Sequence, residues 1–484
     1  MRIILCPIIS IANLAGDSDW HAYKALIDSF SEKHKCYFYL ILPKKFLDAA
    51  RGHLRGYTNV SLIPSISDLV DYHRDSLNLD MTVWRSAFSA KAGRYIADVA
   101  VASRVPMHIP MALAINDMRR KGSFPVFSHD PYPRRLEDSV PLAERLARAM
   151  SYVYSYTWCL NSYEDVLIKR FLQKYVSSAM VLEYEKKRII AGRGLDFNML
   201  RPLCDRKKFK RFSILFGARV NADKDAGVAF ELMERIVQFG RPIDVYITQP
   251  KSGVNASVIS NFKKRSTFLK LYVPQCDKDK YLLLMPHVHC AVCTSILEGE
   301  PRGFLEQLYV LDGMVLFPDK PWAKAVLPKE FPWFYKNKVE AHTILRHFHD
   351  NYKKARAHSS WIRKWLEENK NSDGILDNEW DRIDKAVKFY RATAVPKPAV
   401  NKSTHELGSL RDLVTKLEKK CRKDGVLDFS KFRNNMNRET IQARFDQEGA
   451  LRAPAVYAIY ADLLKLGWKD TYETEGPILT WEGK

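Results

Sequence analysis

The sequence predicts an α/β protein made of two consecutive units, each built around a parallel β-sheet. Short apolar runs rich in β-branched and aromatic residues are separated by longer stretches with helical periodicity. Strands that are apolar along their whole length are typical of parallel sheets covered by helices on both faces. The pattern occurs twice, in a chain of 484 residues that is too long for one ordinary hydrophobic core.

The first predicted unit comprises residues 1–200. It begins with the strand "RIILCPII" and the helix "DWHAYKALIDSFSEKH". The run that contains this strand ends in a glycine loop with no small-residue cleavage site, so we interpret it as a buried strand rather than a signal peptide. Four further strands are predicted in this unit, at "CYFYLILP", "NVSLIP", "PVFSHD" and "SYTWCLNS".

The second predicted unit comprises residues 201–395. It begins with the strand "RFSILFGARV" and the helix "DAGVAFELMERIVQFG", and its last part, from about residue 350, is helical. Two α/β units in series predict an active site in the cleft between them. Four more strands are predicted, at "PIDVYIT", "STFLKLYVP", "HVHCAVCTS" and, as the last of the series, "GMVLFPD".

A linker and a small accessory domain are predicted beyond the second unit. Residues 396–405 lack periodicity and are rich in Pro, Ser and Thr, which indicates a linker. Residues 406–484 predict a helical domain of the helix-turn-helix or winged type, and a three-helix interaction domain fits equally well. Its predicted elements are helices at "LRDLVTKLEKKCRK", "RETIQARF" and "APAVYAIYADLLKLG", followed by a strand at "PILTWEG".

Composition narrows the class of protein. A net charge of +21 favours an anionic partner such as a nucleic acid, a membrane surface or a nucleotide. No apolar run approaches the roughly 20 residues that span a bilayer.

The eight cysteines show no disulfide framework. Cys290 and Cys293 lie near His287 and His289, where a metal site is conceivable, but we interpret them as buried thiols, which predicts a reduced, cytoplasmic location.

Two loops carry the chemistry. In "ILFGARVNADKDAGVAF" a strand ends at Gly217, and Arg219 and Lys224 precede a helix. Glycine lets a ligand approach the backbone, and the two cations beside a helix N-terminus suit a diphosphate. In "ILEGEPRGFLEQLYVL" a strand is followed by Glu298 on a loop and Glu306 on a helix. Carboxylates accept paired hydrogen bonds from vicinal diols, so the two glutamates predict a ligand with two polyols, such as a nucleotide sugar.

Taken together, these motifs resemble those of the retaining glycosyltransferases of GT-B fold, family 4 in particular. The loop "GARVNADK" is similar to the family's diphosphate motif, with Ala218 inserted between Gly and Arg, and "EGEPRGFLE" is similar to its E-x7-E motif. "IIAGRGLDFNMLRP" resembles the family's segment between its two domains. The resemblance covers roughly residues 1–390 and implies two Rossmann-like domains, an N-terminal acceptor domain and a C-terminal nucleotide-sugar domain.

The resemblance also implies roles for residues. Arg219 and Lys224 would bind the donor diphosphate, Glu306 the ribose and Glu298 the transferred sugar. The segment from Glu300 through Arg302 to Gly303 would contact the sugar or phosphate, and because the family has Phe-Gly where this chain has "EPR", Glu300 and Arg302 are expected to alter sugar choice. Gly313 lies two positions later than in the family, which predicts a longer helix.

Further roles concern the first unit. "FSHDPYPRR" ends a predicted strand at the same cleft, and phage DNA glucosyltransferases, which this chain resembles, use a His–Asp pair near the sugar. His129 and Asp130 are therefore candidates for contacting donor or acceptor. Gly16 is a candidate for approaching the phosphates. The alternative is that Asp130 caps a turn and His129 packs in the strand.

No Asp-x-Asp motif follows a predicted strand, so cations and helix dipoles rather than Mg²⁺ are expected to assist departure of the nucleotide. No cofactor is expected, and the resemblance implies front-face transfer with retention of configuration.

The sequence leaves two classes of acceptor open. The positive charge and the C-terminal domain favour a hydroxymethylated pyrimidine in duplex phage DNA, in the cytoplasm of the host. The alternative is a bacterial enzyme that acts on a surface glycan or lipid at the membrane. Basic segments with Trp, such as "WRSAFSAKAGRYIADVAVASR", favour that alternative. A non-enzymatic α/β binding protein is disfavoured because both sugar-nucleotide motifs are present.

Overall fold

The computed structural model describes most of the two α/β units and three strands near the C-terminus. The described residues are 1–7, 14, 18–65, 97–102, 125–129, 149, 152–153, 155–218, 220, 224–248, 256–265, 270–272, 278–393, 426–428, 468–473 and 476–481.

The described residues of the first unit form a seven-stranded parallel sheet. The strand order is β3-β2-β1-β4-β5-β6-β7. This order is that of doubly wound folds, in which the chain reverses direction across the sheet at the first strand, here between β1 and β4. The strands are β1 (Arg2–Cys6), β2 (Tyr37–Pro43), β3 (Val60–Ser65), β4 (Val99–Ala102), β5 (Val126–His129), β6 (Tyr156–Cys159) and β7 (Ile189–Ile190).

Four helices of this unit are described. Helix α3 begins after Asn161, whose Oδ1 accepts a hydrogen bond from the Glu164 amide at 2.8 Å, the usual way in which Asn caps a helix. The helices are α1 (Ser18–His34), α2 (Leu47–His53), α3 (Ser162–Tyr175) and α4 (Ser178–Lys187).

The second unit repeats the arrangement. Its described strands form a six-stranded parallel sheet in the order β10-β9-β8-β11-β12-β13, so the switch of direction lies between β8 and β11. The strands are β8 (Ser213–Phe216), β9 (Asp244–Ile247), β10 (Lys270–Tyr272), β11 (Cys290–Val292), β12 (Val315–Pro318) and β13 (Phe334–Tyr335). The helices are α5 (Phe197–Leu200), α6 (Ala226–Gln238), α7 (Ala256–Arg265), α8 (Lys278–Leu284), α9 (Arg302–Val310), α10 (Pro321–Val326), α11 (Lys338–Asp350), α12 (Tyr352–Ser359) and α13 (Ile362–Asn369).

The last helix of the two units, α14 (Ser372–Thr393), follows the second unit in sequence but packs on the first. Leu376, Ile383 and Val387 belong to the same apolar core as the strands of the first sheet. The Trp380 ring stacks on His34 of α1 with ring centroids 3.7 Å apart, and Lys33 pairs with Asp377 at 2.6 Å. Helix α14 is therefore part of the first unit's structure.

Most strands and helices predicted from the sequence are confirmed in position, but three strands of the two parallel sheets were missed: β4, the two-residue β7 and β13. The sheet contains β4 in the middle, within a segment interpreted as basic and membrane-associated; for residues 99–102 that interpretation is wrong, because Val99 to Ala102 are fully buried. Strand β13 extends the second sheet beyond β12, the predicted last strand. It is two residues long and carries no sequence signal of its own.

The described C-terminal residues form an antiparallel sheet in the order β14-β16-β15. It consists of β14 (Val426–Asp428), β15 (Trp468–Glu473) and β16 (Gly476–Trp481). The predicted final strand is confirmed, whereas the description of this region as helical missed β14 and β15. The linker and the three helices predicted there lie outside the described residues. Among the helices that are described, none combines the length and apolar composition needed to cross a membrane.

Candidate active site

The candidate site lies at the switch point of the second sheet. Strands β8 and β11 are neighbours, and both run toward the same edge. The loop after β8 leads to Lys224, and the loop after β11 leads to Glu298. Open α/β sheets bind ligands in the crevice at such a point, because the chains leaving the two strands turn to opposite faces of the sheet.

Lys224 and Glu298 contact each other directly. The Lys224 Nζ donates a hydrogen bond to Glu298 Oε1, and the Ser295 hydroxyl donates to the same oxygen at 2.7 Å. The side chains are 13% and 5% exposed, so this is a mostly buried ion pair. Two motifs 74 residues apart in the sequence thus form one charged site.

The two loops are also tied through the backbone. Thr294 Oγ1 donates to the carbonyl oxygen of Lys224 at 2.6 Å and to that of Asp225 at 3.1 Å. Asp225 has a φ of 44°, in the left-handed region, and immediately precedes α6 without a side-chain capping bond. The first turn of α6 therefore begins beside Lys224, with its amide dipoles directed toward the crevice.

Glu306 lies on the second turn of α9, within the helix on which the sequence predicts it. Its side chain is 1% exposed, and Glu306 Oε1 lies 3.6 Å from the Nε of Arg302 one turn earlier. Glu306 also helps to raise the pKa of Tyr281, although burial of that phenol is the larger cause. The E-x7-E motif thus presents one glutamate at the loop and one inside the packed start of a helix.

A buried hydrogen-bond chain joins this helix to Tyr281 of α8, and Gln307 also packs against Gly217 at the start of the diphosphate loop. The Gln307 Nε2 donates to the Tyr281 hydroxyl at 2.9 Å, and that hydroxyl donates to the carbonyl oxygen of Gly303 at 3.1 Å. A Cβ on Gly217 would lie 2.2 Å from Gln307 Nε2. Gly217 is therefore required for packing against Gln307, a reason different from the close approach of a ligand that the sequence suggested.

The loop after β11 also contacts the first unit. Asn161, which caps α3 after β6, donates through Nδ2 to the carbonyl oxygen of Gly299. Asn161 is 3% exposed. This bond brings the loops at the carboxyl ends of both sheets together, which places the site at the cleft between the units. Sequence reasoning missed Asn161; the only signal was Asn three positions before Glu, the pattern of a helix start.

Glu300 faces the connection between the units. Its Oε2 accepts a hydrogen bond from the Arg193 backbone amide at 2.5 Å, and its Oε1 lies 3.9 Å from the Nζ of Lys370. The Glu300 side chain is 2% exposed. Its carboxylate is thus held by the segments that join the two units, and the expected effect of Glu300 on sugar choice stays a prediction.

Several predicted site residues have no described side chain. Gly16, Asp130 and Arg219 lie outside the described residues. His129 is the last residue of β5, at the carboxyl end of the first sheet, and only its backbone is described. The assignment of these residues to donor or acceptor stays a prediction.

The two thiols near the site are buried in the sheet. Cys290 lies in β11 and Cys293 directly after it, and both are fully buried. Burial, with a smaller contribution from Glu298, raises the pKa of Cys293 to about 12. His287 Nδ1 hydrogen-bonds the Lys207 carbonyl, and His289 Nδ1 contacts the Ser213 hydroxyl at 2.9 Å. Within the described ranges, no cluster of His, Cys, Asp and Glu has the arrangement of a metal site.

The two sheets, their strand order and the site between them define the class: the two α/β units have the GT-B fold, as the sequence motifs predicted. No family model matches the chain, and no curated protein matches its sequence. Solved structures do match in fold.

The chain resembles the HepE protein of Anabaena in complex with UDP and glucose, with a TM-score of 0.56 and 12% identity over 80% of this chain and 100% of that one. It also resembles a glycosyltransferase from Rickettsia africae, with a TM-score of 0.58 and 11% identity over 80% and 98% of the two chains. The apo form of WaaB, a lipopolysaccharide outer core galactosyltransferase, matches with a TM-score of 0.53 and 12% identity over 80% and 99%.

Proposed function

We propose that this protein is a glycosyltransferase that takes a sugar from a nucleotide-sugar donor, UDP-linked, in the cleft between its two units. The observation that carries the proposal is the contact between Lys224 and Glu298 at the switch point of the second sheet. A cation for a diphosphate and a carboxylate for sugar hydroxyls occur there side by side. The likeness to a fold solved with UDP and glucose supports the same class of donor.

Lys224 and the first turn of α6 would receive the diphosphate. Lys224 is paired with Glu298, so its side chain is already oriented toward the site. Negative charge that develops on the departing nucleotide would be stabilised by this ammonium, by the dipole of α6 and by Arg219. Transfer by this route needs no divalent cation, and we expect activity to persist in the presence of a chelator.

The two glutamates would hold the two polyols of the donor. Glu298, freed from part of its bond with Lys224 when the diphosphate binds, would accept hydrogen bonds from hydroxyls of the transferred sugar. Glu306 would accept those of the ribose, with Arg302 and the backbone of Gly303 beside the sugar or phosphate. We favour front-face transfer with retention of the anomeric configuration, without a covalent intermediate on a carboxylate. The bond from the sugar to the diphosphate breaks as the acceptor oxygen attacks, and the departing phosphate takes the proton of the acceptor hydroxyl.

For the acceptor, we propose a hydroxymethylated pyrimidine in duplex DNA. The net charge of +21 supports a polyanionic partner, and the described residues include an exposed cluster of cations formed by Arg206, Lys207, Lys210 and Arg211. His129 and Asp130 would meet the acceptor hydroxyl at the carboxyl end of β5. Binding to DNA should then weaken steeply as salt concentration rises.

A glycan or lipid acceptor at a membrane is the second candidate. The likeness to WaaB, a lipopolysaccharide galactosyltransferase, favours it. The two candidates share the donor site and differ in what the first unit must recognise.

Release of nucleoside diphosphate distinguishes these possibilities. It would be measured for a panel of sugar nucleotides with hydroxymethylpyrimidine DNA, unmodified DNA, or a lipid-linked glycan. Wild type would be compared with Glu298→Gln, with Lys224→Met, and with Glu368→Gln as a control, since Glu368 is 59% exposed on α13 and pairs with Lys364. The anomeric configuration of the product would be read by NMR.

Release that requires the modified DNA and is lost in the Glu298 and Lys224 variants would support the full proposal. Release that requires the glycan would keep the donor site and replace the acceptor. If no sugar nucleotide is turned over or hydrolysed, and UDP does not bind, the assignment as a glycosyltransferase is wrong.

A further inference from the structure

Three consecutive residues of the loop after β11 contact three different parts of the molecule. Glu298 pairs with Lys224 in the donor site, the carbonyl of Gly299 accepts from Asn161 of the first unit, and Glu300 bonds to the Arg193 backbone. A short loop with these contacts cannot move at one end without disturbing the other two.

The Glu300 carboxylate lies where the chain passes from one unit to the other. The outgoing segment passes through Leu195 and the returning segment through Lys370 and Ser372. They pair as backbone: the Leu195 amide donates to the Lys370 carbonyl at 2.7 Å, and the Ser372 amide donates to the Leu195 carbonyl at 3.1 Å. These paired segments are called the crossing segments here.

The carboxylate of Glu300 is wedged against the crossing segments. A Cβ on Gly192 would lie 2.1 Å from Glu300 Oε1, so only glycine leaves room for this side chain. Lys370 Nζ lies 3.9 Å from the same oxygen. Glu379 of α14 lies near enough that the charge of Glu300 affects its pKa. Burying a carboxylate is costly unless a hydrogen bond and a cation compensate for the loss of water. The Arg193 amide and Lys370 lie beside the Glu300 carboxylate and so define its position.

We propose that Glu300 is a positioning residue that anchors the Glu298 loop to the crossing segments and so couples the donor-sugar contact to the relative placement of the two units. This inference rests on the proposed function for its activity readout. Glu300 acts through Glu298, two residues away, and not by contact of its side chain with the sugar. A misplacement of about 1 Å at a reacting group can cost on the order of 100-fold in rate.

Two substitutions separate anchoring from charge. Glu300→Gln keeps an amide oxygen that accepts the hydrogen bond from Arg193, whereas Glu300→Ala removes it. We expect Glu300→Gln to retain turnover within about 3-fold of wild type and Glu300→Ala to lose about 10- to 100-fold in kcat. UDP affinity should change little, because UDP lacks the transferred sugar that Glu298 would bind. Glu368→Ala serves as the exposed control.

Hydrogen exchange tests the anchoring without any substrate. In the full-length protein, Glu300→Ala should speed exchange of the amides at residues 193–195 and 298–300 together by about 10-fold, and Glu300→Gln should not. Unchanged exchange in Glu300→Ala would overturn the proposal whatever the enzyme does. Equal losses of kcat and UDP affinity in Glu300→Ala would also overturn it, since they indicate general loss of folded protein. Failure of the proposed function would leave the wild type without UDP binding, while the exchange result would stand.

Discussion

Substitution of Glu379 by Gln should make the protein more stable at alkaline pH. Glu379 lies on α14 and is 5% exposed. Burial raises the pKa of this carboxyl from the ordinary value of 4.5 to about 8; the nearby Arg193 lowers the pKa, and Glu300 raises it. In the folded protein Glu379 therefore holds a proton that the unfolded chain releases at neutral pH.

The size of the effect follows from the two pKa values. Where the folded state binds one more proton than the unfolded state, each pH unit lowers the free energy of unfolding by about 1.4 kcal/mol. Glu379 contributes its full stability below pH 4.5 and loses it as the pH rises through 8. The interval corresponds to about 5 kcal/mol. Gln is neutral throughout and removes this dependence.

Urea denaturation followed by tryptophan fluorescence at pH 5, 6.5 and 8 provides the measurement. The gain in stability of Glu379→Gln over wild type should be about 1 kcal/mol at pH 5 and grow to about 4 kcal/mol at pH 8. Glu368→Gln, an exposed change on the preceding helix, should give no such trend. A difference between Glu379→Gln and wild type that stays constant across the three pH values would show that Glu379 ionises normally and refute the reasoning.

Three further predictions concern the site and the junction. Lys224→Met should cost about 3–5 kcal/mol in urea unfolding by stranding the buried Glu298, and the double variant with Glu298→Gln should recover part of it; additive costs would contradict the ion pair. Gly217→Ala should displace the Gln307 amide and cost about 1–3 kcal/mol by the same assay, whereas an unchanged midpoint would contradict the packing. Trp380→Ala should cost about 3 kcal/mol and speed amide exchange in α1 but not in α6, and equal effects on both helices would argue against a specific contact with α1.

The alternation of apolar strands and helices was enough to predict both sheets and the order of the two loops at the site. Lys224 and Glu298 were each predicted on the loop after a recognisable strand, and the structure shows that these two strands are neighbours, as they are in doubly wound folds. Glu306 was predicted on the first or second turn of the helix after that loop, and it lies on the second. These features depend on local pattern and on general topological rules.

Other features depend on long-range packing and left no local signal. Strand β4 consists of small and β-branched residues within a basic segment, so its burial was not evident until its neighbours β1 and β5 were known. The direction of the Glu300 carboxylate is set by Gly192, more than 100 residues away. Similarly, α14 was predicted as a trailing helix of the second unit because it follows that unit in the sequence. In the structure its apolar face packs into the core of the first unit.

The position of α14 bears on how the chain is made. The first sheet ends at β7, but Ile383 and Val387, which complete its core, are synthesised about 200 residues later. At ~5–20 residues per second, the ribosome needs roughly 10–40 seconds to supply them. During that interval the nascent first unit lacks the apolar side chains of Leu376, Ile383 and Val387, which pack into its core in the folded protein. The core of the first unit is therefore completed only after the whole second unit has been synthesised, so its packing does not follow simple N-to-C order.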